Sequence, residues 1–271
     1  MIATSAGAFI EVDGLKTFYV KTGSGTPLVL VHGAAPGGCA RVNWGANIDT
    51  LADAGFTVYA FDQPGFGATD NPTDYGIDYR VTHAKAFIAA MGLGDYVLMG
   101  NSVGSYIAAR IALDDPRVKK LVLVSSGTLA PQGGEAATEL AREHSERLRS
   151  FVPTLENTRT LTQGTLFNPE RVTEELVRER YEATIGKNLE ASEGRRGAAG
   201  PKPIYEELQH LTMPTMILWG ANDGGAALER SLLLLKHIPG AELHIFDHCA
   251  HWVQWDQAER FNTLVRDFLQ A

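Results

Sequence analysis

Spacing and composition point to an α/β protein, a doubly wound and mostly parallel sheet carrying an inserted helical cap. Eight short runs rich in β-branched and apolar residues alternate with longer stretches of helical periodicity, the pattern of a sheet covered by helices. Three of the runs, PLVLVHG, YVLMGNS and KLVLVSS, are apolar almost without a break, as parallel strands buried on both faces require. Between residues 131 and 211 no such run occurs and the periodicity is helical.

The expected strands lie at 9–12, 17–21, 27–32, 57–62, 96–101, 120–126, 215–220 and 242–247, each bounded by turn residues. Apolar residues at mixed three and four spacings predict helices over 79–91 and 103–113, and over 226–238 and 258–269 nearer the end. Inside the strandless stretch, 134–151 and 169–185 are charged and amphipathic, and GRRGAAGPKP at 194–203 reads as a flexible run. The chain therefore divides into a core domain, 1–130 and 212–271, and an inserted helical cap, 131–211.

Composition narrows the function. The 271 residues are 44% hydrophobic and 21% charged, and 24 Lys and Arg against 32 Asp and Glu give a net charge of −8. Neither half concentrates the cationic residues that a phosphate backbone or an anionic lipid surface demands, so neither nucleic acid nor membrane is an expected partner. No leader-like or membrane-spanning run is present, which points to the cytoplasm. Cys39 and Cys249 are far apart and form no CxxC pair, so they are expected to be reduced, with no disulfide framework and no metal site. No cofactor is called for.

The chemistry is concentrated at Gly100-Asn101-Ser102-Val103-Gly104, where a strand-like run meets a helix. This is the G-x-S-x-G nucleophile elbow, whose sharp turn leaves room only for glycine on either side of the serine. The helix N-terminus beside Ser102 favours a developing oxyanion. A serine hydroxyl needs a base, and an acid and a histidine should follow in that order. Asp223, in the loop after WGAND's strand, and His251, in the loop after the last strand, fit. Asp223 could also cap the helix at 226–238. The competitors are Asp247, His248 and His244; His244 falls inside a strand pattern, and His248 is the realistic rival for the base. The glycine-rich turn after LVLVHG supplies a second backbone donor, so the oxyanion hole is assigned to the N–H groups of Ala34 and Val103. A phosphate-binding reading of that turn fails for want of a Lys-Ser/Thr or GxGxxG.

Through HGAAPG, FDQPGFG, GNSVG, the WGAND loop and the CAHW loop, the chain resembles the α/β-hydrolase superfamily along almost its whole length. Asn43 shortly after HGAAPG, TEELVRERYEA, and HWVQWDQAERFNTLVRDFL narrow the resemblance to the meta-cleavage product hydrolases. These cleave a carbon–carbon bond in 2-hydroxy-6-oxohexa-2,4-dienoates, the ring-opened products of aromatic degradation.

The resemblance implies a Ser102, Asp223 and His251 triad, with His251 also assisting ketonisation of the dienol. It further implies that Arg180 holds the substrate carboxylate, that Asn43 and Asn101 bind the polar dienoate end, that Trp252 packs beside it, and that the protein is at least a homodimer. Two departures stand out. His32-Gly33-Ala34-Ala35-Pro36-Gly37 replaces HGGGPG, adding methyls near the reacting carbon. After the acid, where the family commonly has bulky apolar residues, the chain has Gly224-Gly225-Ala226-Ala227. The small residues predict extra distal room and a bulky, aryl 6-substituent. The rivals are a carboxylesterase or lactonase with the same triad, and a small-molecule receptor on the same fold. Haloalkane dehalogenase and epoxide hydrolase chemistry needs a carboxylate nucleophile, which Ser102 excludes.

Overall fold

The computed structural model describes residues 5–271. In chain order its elements begin with β1 (Gly7–Val12), β2 (Leu15–Thr22), β3 (Thr26–Val31), α1 (Ala40–Trp44), α2 (Ile48–Asp53) and β4 (Phe56–Phe61). There follow α3 (Ile77–Ala90), β5 (Tyr96–Asn101), α4 (Val103–Asp114) and β6 (Val118–Val124). Next come α5 (Glu135–Arg149), α6 (Leu155–Gln163), α7 (Glu174–Glu182) and α8 (Lys187–Gly197). The chain closes with β7 (Thr215–Gly220), α9 (Glu229–His237), β8 (Glu242–Phe246), α10 (Val253–Asp256) and α11 (Ala258–Gln270).

Each of the eight expected strands is found, and all join one sheet in the order β1-β2-β4-β3-β5-β6-β7-β8. β1, β2 and β4 pair antiparallel, and every pairing from β4 through β3 to β8 is parallel. Asp13 and Gly14, both at positive φ, close the β1–β2 hairpin as a two-residue Asp-Gly turn does. The strand order reverses between β3 and β5, and their register sets Val31 beside Gly100. Loops leaving such a reversal diverge and open a crevice at the carboxyl ends of the strands. That crevice is where the GxSxG turn and the HGAAPG turn meet.

The continuous apolar strands sort by alternation into two cores. Val29, Val31, Leu98, Leu121, Leu123, Ile217 and Trp219 face α3, α4 and α9. Leu28, Leu30, Met99, Val122, Val124 and Leu218 face α1, α2 and α11. Both faces are covered, which is why no polar alternation shows in the sequence.

Between β6 and β7 the described residues form helices and no strand. The expected helix over 169–185 is split: a 3₁₀ turn at Pro169–Arg171 precedes α7, which starts where the Thr173 hydroxyl accepts from Leu176 N–H. The run read as flexible from 194 is helical through Gly197, as the end of α8. Helix α9 begins at Glu229 and not at 226, because Ala226 N–H is held in a turn by Asp223. Helix α6 went unread, since its buried positions include Thr158 and Thr162 and so carry little apolar signal. A third apolar cluster, Cys39, Val42, Leu166, Leu176, Trp252 and Trp255, ties this excursion to the sheet domain. Among the described residues no helix is long and apolar enough to cross a membrane.

Candidate active site

Ser102 stands between β5 and α4 with φ 57° and ψ −123°, a strained conformation for a side-chain-bearing residue. Its amide donates to Val124 O at 2.8 Å, and the Ser105 hydroxyl ties the Gly100 carbonyl at 2.7 Å, so the turn is held from two sides. The flanking glycines are sterically required. A Cβ on Gly104 would collide with the Val31 carbonyl and lie 2.6 Å from His32 O, and one on Gly100 would press on the backbone at Gly104 and Ser105. Gly33 passes so close that a Cβ there would lie 3.2 Å from Ser102 Cβ. Ala34 and Val103 therefore border the same cavity as Ser102. Val103 is the first residue of α4, so its N–H has no acceptor within that helix.

His32, next to this turn, is buried; its Nδ1 lies 2.6 Å from Gly33 O and its Nε2 accepts from Gln63 N–H at 2.9 Å. Burial pushes the ring down to about 3, so it is a neutral brace for the HGAAPG turn.

His251 Nδ1 is 2.8 Å from Asp223 Oδ2, and the two side chains are 14% and 1% exposed. The other Asp223 oxygen accepts from Gly225 N–H at 2.7 Å and Ala226 N–H at 2.9 Å, which orients the carboxylate without capping α9. Burial opposes a charged His251, but the Asp223 charge and hydrogen bond outweigh it and raise the imidazole above its ordinary value. His251 and Ser102 border one cavity of about 660 Å³, and Asp223 lies behind His251. The rival His248 is exposed, 3.0 Å from Asp247, and outside the cavity lining. His244 lies in β8 beside Glu242.

Asn43, Asn101, Arg180 and Trp252 also border the cavity. Asn43 Nδ2 donates to Asn101 Oδ1 at 2.9 Å, and Asn101 Nδ2 donates to Val124 O at 3.3 Å. Asn101 thus holds Asn43, whose own Oδ1 is buried with no protein partner. Arg180, 1% exposed, donates Nε to Pro36 O at 3.0 Å and Nη1 to Thr162 Oγ1 at 3.2 Å, and its guanidinium stands 4.9 Å from the Trp252 ring. Burial lowers it to about 9, still protonated at neutral pH. Its Nη2 is buried without a partner. Gly37, at φ +71°, makes room for α7: a Cβ there would meet Arg180 Cγ and Thr184 Oγ1 at 2.6 Å.

Two contributors have no signature in the sequence. Asp256, fully buried, accepts from Phe167 N–H, Asn168 N–H and Ala250 N–H at 2.8, 3.0 and 2.9 Å, joining the excursion to the His251 loop. The other is His144 of α5, which occupies the room expected after the triad acid: a Cβ on Gly225 would lie 2.9 Å from its ring. Among the described residues no cluster of three His, Cys, Asp or Glu side chains is placed to hold a metal ion.

Comparison with known proteins agrees with this geometry. A family profile described as alpha/beta hydrolase fold matches residues 26–258. The chain is 34% identical over 280 aligned positions to the 2-hydroxy-6-oxononadienedioate/2-hydroxy-6-oxononatrienedioate hydrolase of Burkholderia vietnamiensis, across 99% of this chain and 96% of that protein. Among solved structures it is similar to a meta-cleavage product hydrolase from Pseudomonas fluorescens IP01, with TM-score 0.84, 31% identity and 97% of both chains covered. The 2-hydroxy-6-oxo-6-phenylhexa-2,4-dienoate hydrolase from Rhodococcus sp. strain RHA1 matches with TM-score 0.80 and 27% identity, over 98% of this chain and 100% of that one. By sequence and fold alike, the chain belongs to the alpha/beta hydrolase fold family, and its likeness within that family is to the meta-cleavage product hydrolases.

Proposed function

We propose that the protein is a serine-dependent, cofactor-free hydrolase that cleaves the carbon–carbon bond of 2-hydroxy-6-oxohexa-2,4-dienoate substrates. The observation that carries this reading is the unpartnered Nη2 of buried Arg180 in the cavity of Ser102 and His251. A buried cation with an open donor suits a carboxylate at a fixed place relative to the nucleophile. Asn43 Oδ1, also unpartnered, suits the neighbouring dienol hydroxyl.

The reaction follows from these positions. With the carboxylate on Arg180, His251 assists the move of the enol proton to C5, which leaves a ketone at C2 conjugated through the C3–C4 double bond. Ser102 gives its proton to His251 as Oγ adds to the C6 carbonyl, and Asp223 stabilises the imidazolium. The Ala34 and Val103 amides take the oxyanion. The C5–C6 bond then breaks, its electron pair passing into the C2 carbonyl as a dienolate that takes the proton from the His251 imidazolium, and the acyl group remains on Ser102. Water activated by His251 releases it as a carboxylic acid and restores the serine.

In this reading residues 131–211 act as a cap over the core formed by 1–130 and 212–271, since α5, α6 and Arg180 supply one wall of the cavity and the post-strand loops the other. The unpaired Cys39 and Cys249 suit a cytoplasmic location, and the family likeness favours a homodimer or larger homo-oligomer, which light scattering measures directly.

The deciding experiment follows loss of dienolate absorbance with alkyl and aryl 6-oxo-dienoates beside nitrophenyl esters, using wild type and Ser102→Ala. Dienoate turnover abolished by Ser102→Ala is expected. Ester turnover alone would make the protein an esterase or lactonase, and binding without turnover would make it a receptor.

A further inference from the structure

Helix α5 has no buried face. Not one of its 15 residues is buried, and its acids Glu139 and Glu146 both pair with Arg142 of the same helix. Ala141, His144, Ser145 and Leu148 stand along the cavity, and His144 carries the helix across to the core domain. The edge of its ring rests on Gly225, where a Cβ would lie 2.9 Å from Cε1, 3.0 Å from Nδ1 and 3.1 Å from Nε2. Gly225 is also where the acid is gripped, because its N–H and that of Ala226 both donate to Asp223 Oδ1. The base stands beside the same ring. The His144 and His251 centroids are 6.1 Å apart with planes at 50°, inside the range of about 4.5 to 7 Å over which ring pairs pack.

Arg147 Nη2 lies 3.1 Å from His144 Nδ1, and since a guanidinium only donates, Nδ1 accepts and the proton sits on Nε2. The ring is thereby oriented. Burial first, then the charges of His251 and Arg147, push it down to about 4 against the opposing pull of Asp223. It is neutral wherever His251 titrates. For His251 itself, burial disfavours the imidazolium, Asp223 favours it, and Arg180 adds a smaller repulsion. A neutral ring at this place keeps water off the pair without adding a charge that would oppose the imidazolium.

We propose that His144 is a positioning residue for the catalytic base: seated over Gly225, it blocks the swing of His251 away from Asp223 and excludes water from that side of the pair. The proposal rests on the triad reading above. His144 acts through His251 and touches no reacting atom. The core domain then supplies the three triad residues, and α5 completes their setting only while its histidine is seated.

The test measures kcat, KM and the pH profile of kcat/KM in wild type, His144→Ala, His144→Phe, Gly225→Ala and the Gly225→Ala/His144→Ala double variant, on a dienoate and a nitrophenyl ester. His144→Ala should lower kcat by about 10-fold or more on both substrates, the cost of a loosened base, with KM changing far less. Its pH inflection should rise, because burial is the largest influence on His251 and water now relieves it. His144→Phe, a ring of similar shape with no charge, should restore most of kcat and the wild-type inflection. Gly225→Ala should lift the ring and lower kcat alone, yet add little in the double variant, since the ring it displaces is already gone. A wild-type kcat and inflection in His144→Ala, or losses that simply add in the double variant, overturn the proposal. The His144 variants decide it by themselves if Gly225→Ala fails to fold, as α5 has no buried position to lose. Undiminished turnover in Ser102→Ala and His251→Ala removes instead the triad reading beneath it.

Discussion

Replacing Arg180 by glutamine removes the cation on which the substrate carboxylate is proposed to rest. At 1% exposure the guanidinium sits in the buried limit, where leaving one partner of a charge pair uncompensated costs about 2 to 5 kcal/mol. At about 1.4 kcal/mol per decade this is roughly a 30- to 5,000-fold loss of kcat/KM on a dienoate. The fold should suffer less. Glutamine abandons the bonds to Pro36 O and Thr162 Oγ1, each worth about 1 kcal/mol, while removing a charge whose burial is itself costly. Lysine should rescue only part, because a point charge cannot reach Pro36, Thr162 and a carboxylate with one planar fork. The assay pairs the dienoate with a neutral nitrophenyl ester on the same preparations, with urea denaturation as the stability control. Equal losses on both substrates would refute the argument, since the ester has no carboxylate for Arg180 to hold.

The pH profile tests the base. Because Asp223 raises His251 above 6.5, kcat/KM should fall as pH drops through an inflection above that value, and Asp223→Asn should move it downward; a wild-type inflection below 6.5 would contradict the pairing. The same pair contributes stability that is complete below pH 6.5 and is lost as pH rises through the folded value, so Asp223→Asn should flatten that slope in urea titrations. Gly104→Ala, pressing a methyl onto the Val31 and His32 carbonyls, should cost about 1 to 3 kcal/mol or more and lower kcat by distorting Ser102; a variant with wild-type midpoint and turnover would show that the turn can give. Asp256→Ala strands three amides, so about 3 kcal/mol or more of stability should go together with activity, since Ala250 is the residue before His251; unchanged urea midpoints would remove Asp256 from the account.

The central strands were legible because burial on both faces leaves an unbroken apolar run, and a run that ends at a turn names a strand's carboxyl end. Ser102, Asp223 and His251 could be read for the same reason, as polar residues stationed just beyond such ends. Helix α6 could not, since Thr158 and Thr162 are buried, Thr162 holding Arg180, and break the apolar period. Asp256 and His144 were out of reach for another reason. Their roles depend on which backbone amides and which glycine a distant segment brings to them, and nothing local records that. Gly225 shows the difference: its small size was visible, but the ring that fills its space comes from α5, some eighty positions earlier in the chain.

The short loop after β3 touches both ends of the substrate path. At one end Gly33 lies against Ser102, and at the other Pro36 accepts from Arg180 while Gly37 lets α7 rest on the backbone. The proposed nucleophile and the proposed carboxylate anchor are thus referenced to the same few peptide units. The loop works as a ruler, and what it gauges is the span from C1 to C6. A substrate with one conjugated unit more or fewer could satisfy the anchor or present its ketone to the serine, but not both, so chain length between the two carbonyl carbons should be policed more strictly than anything beyond C6.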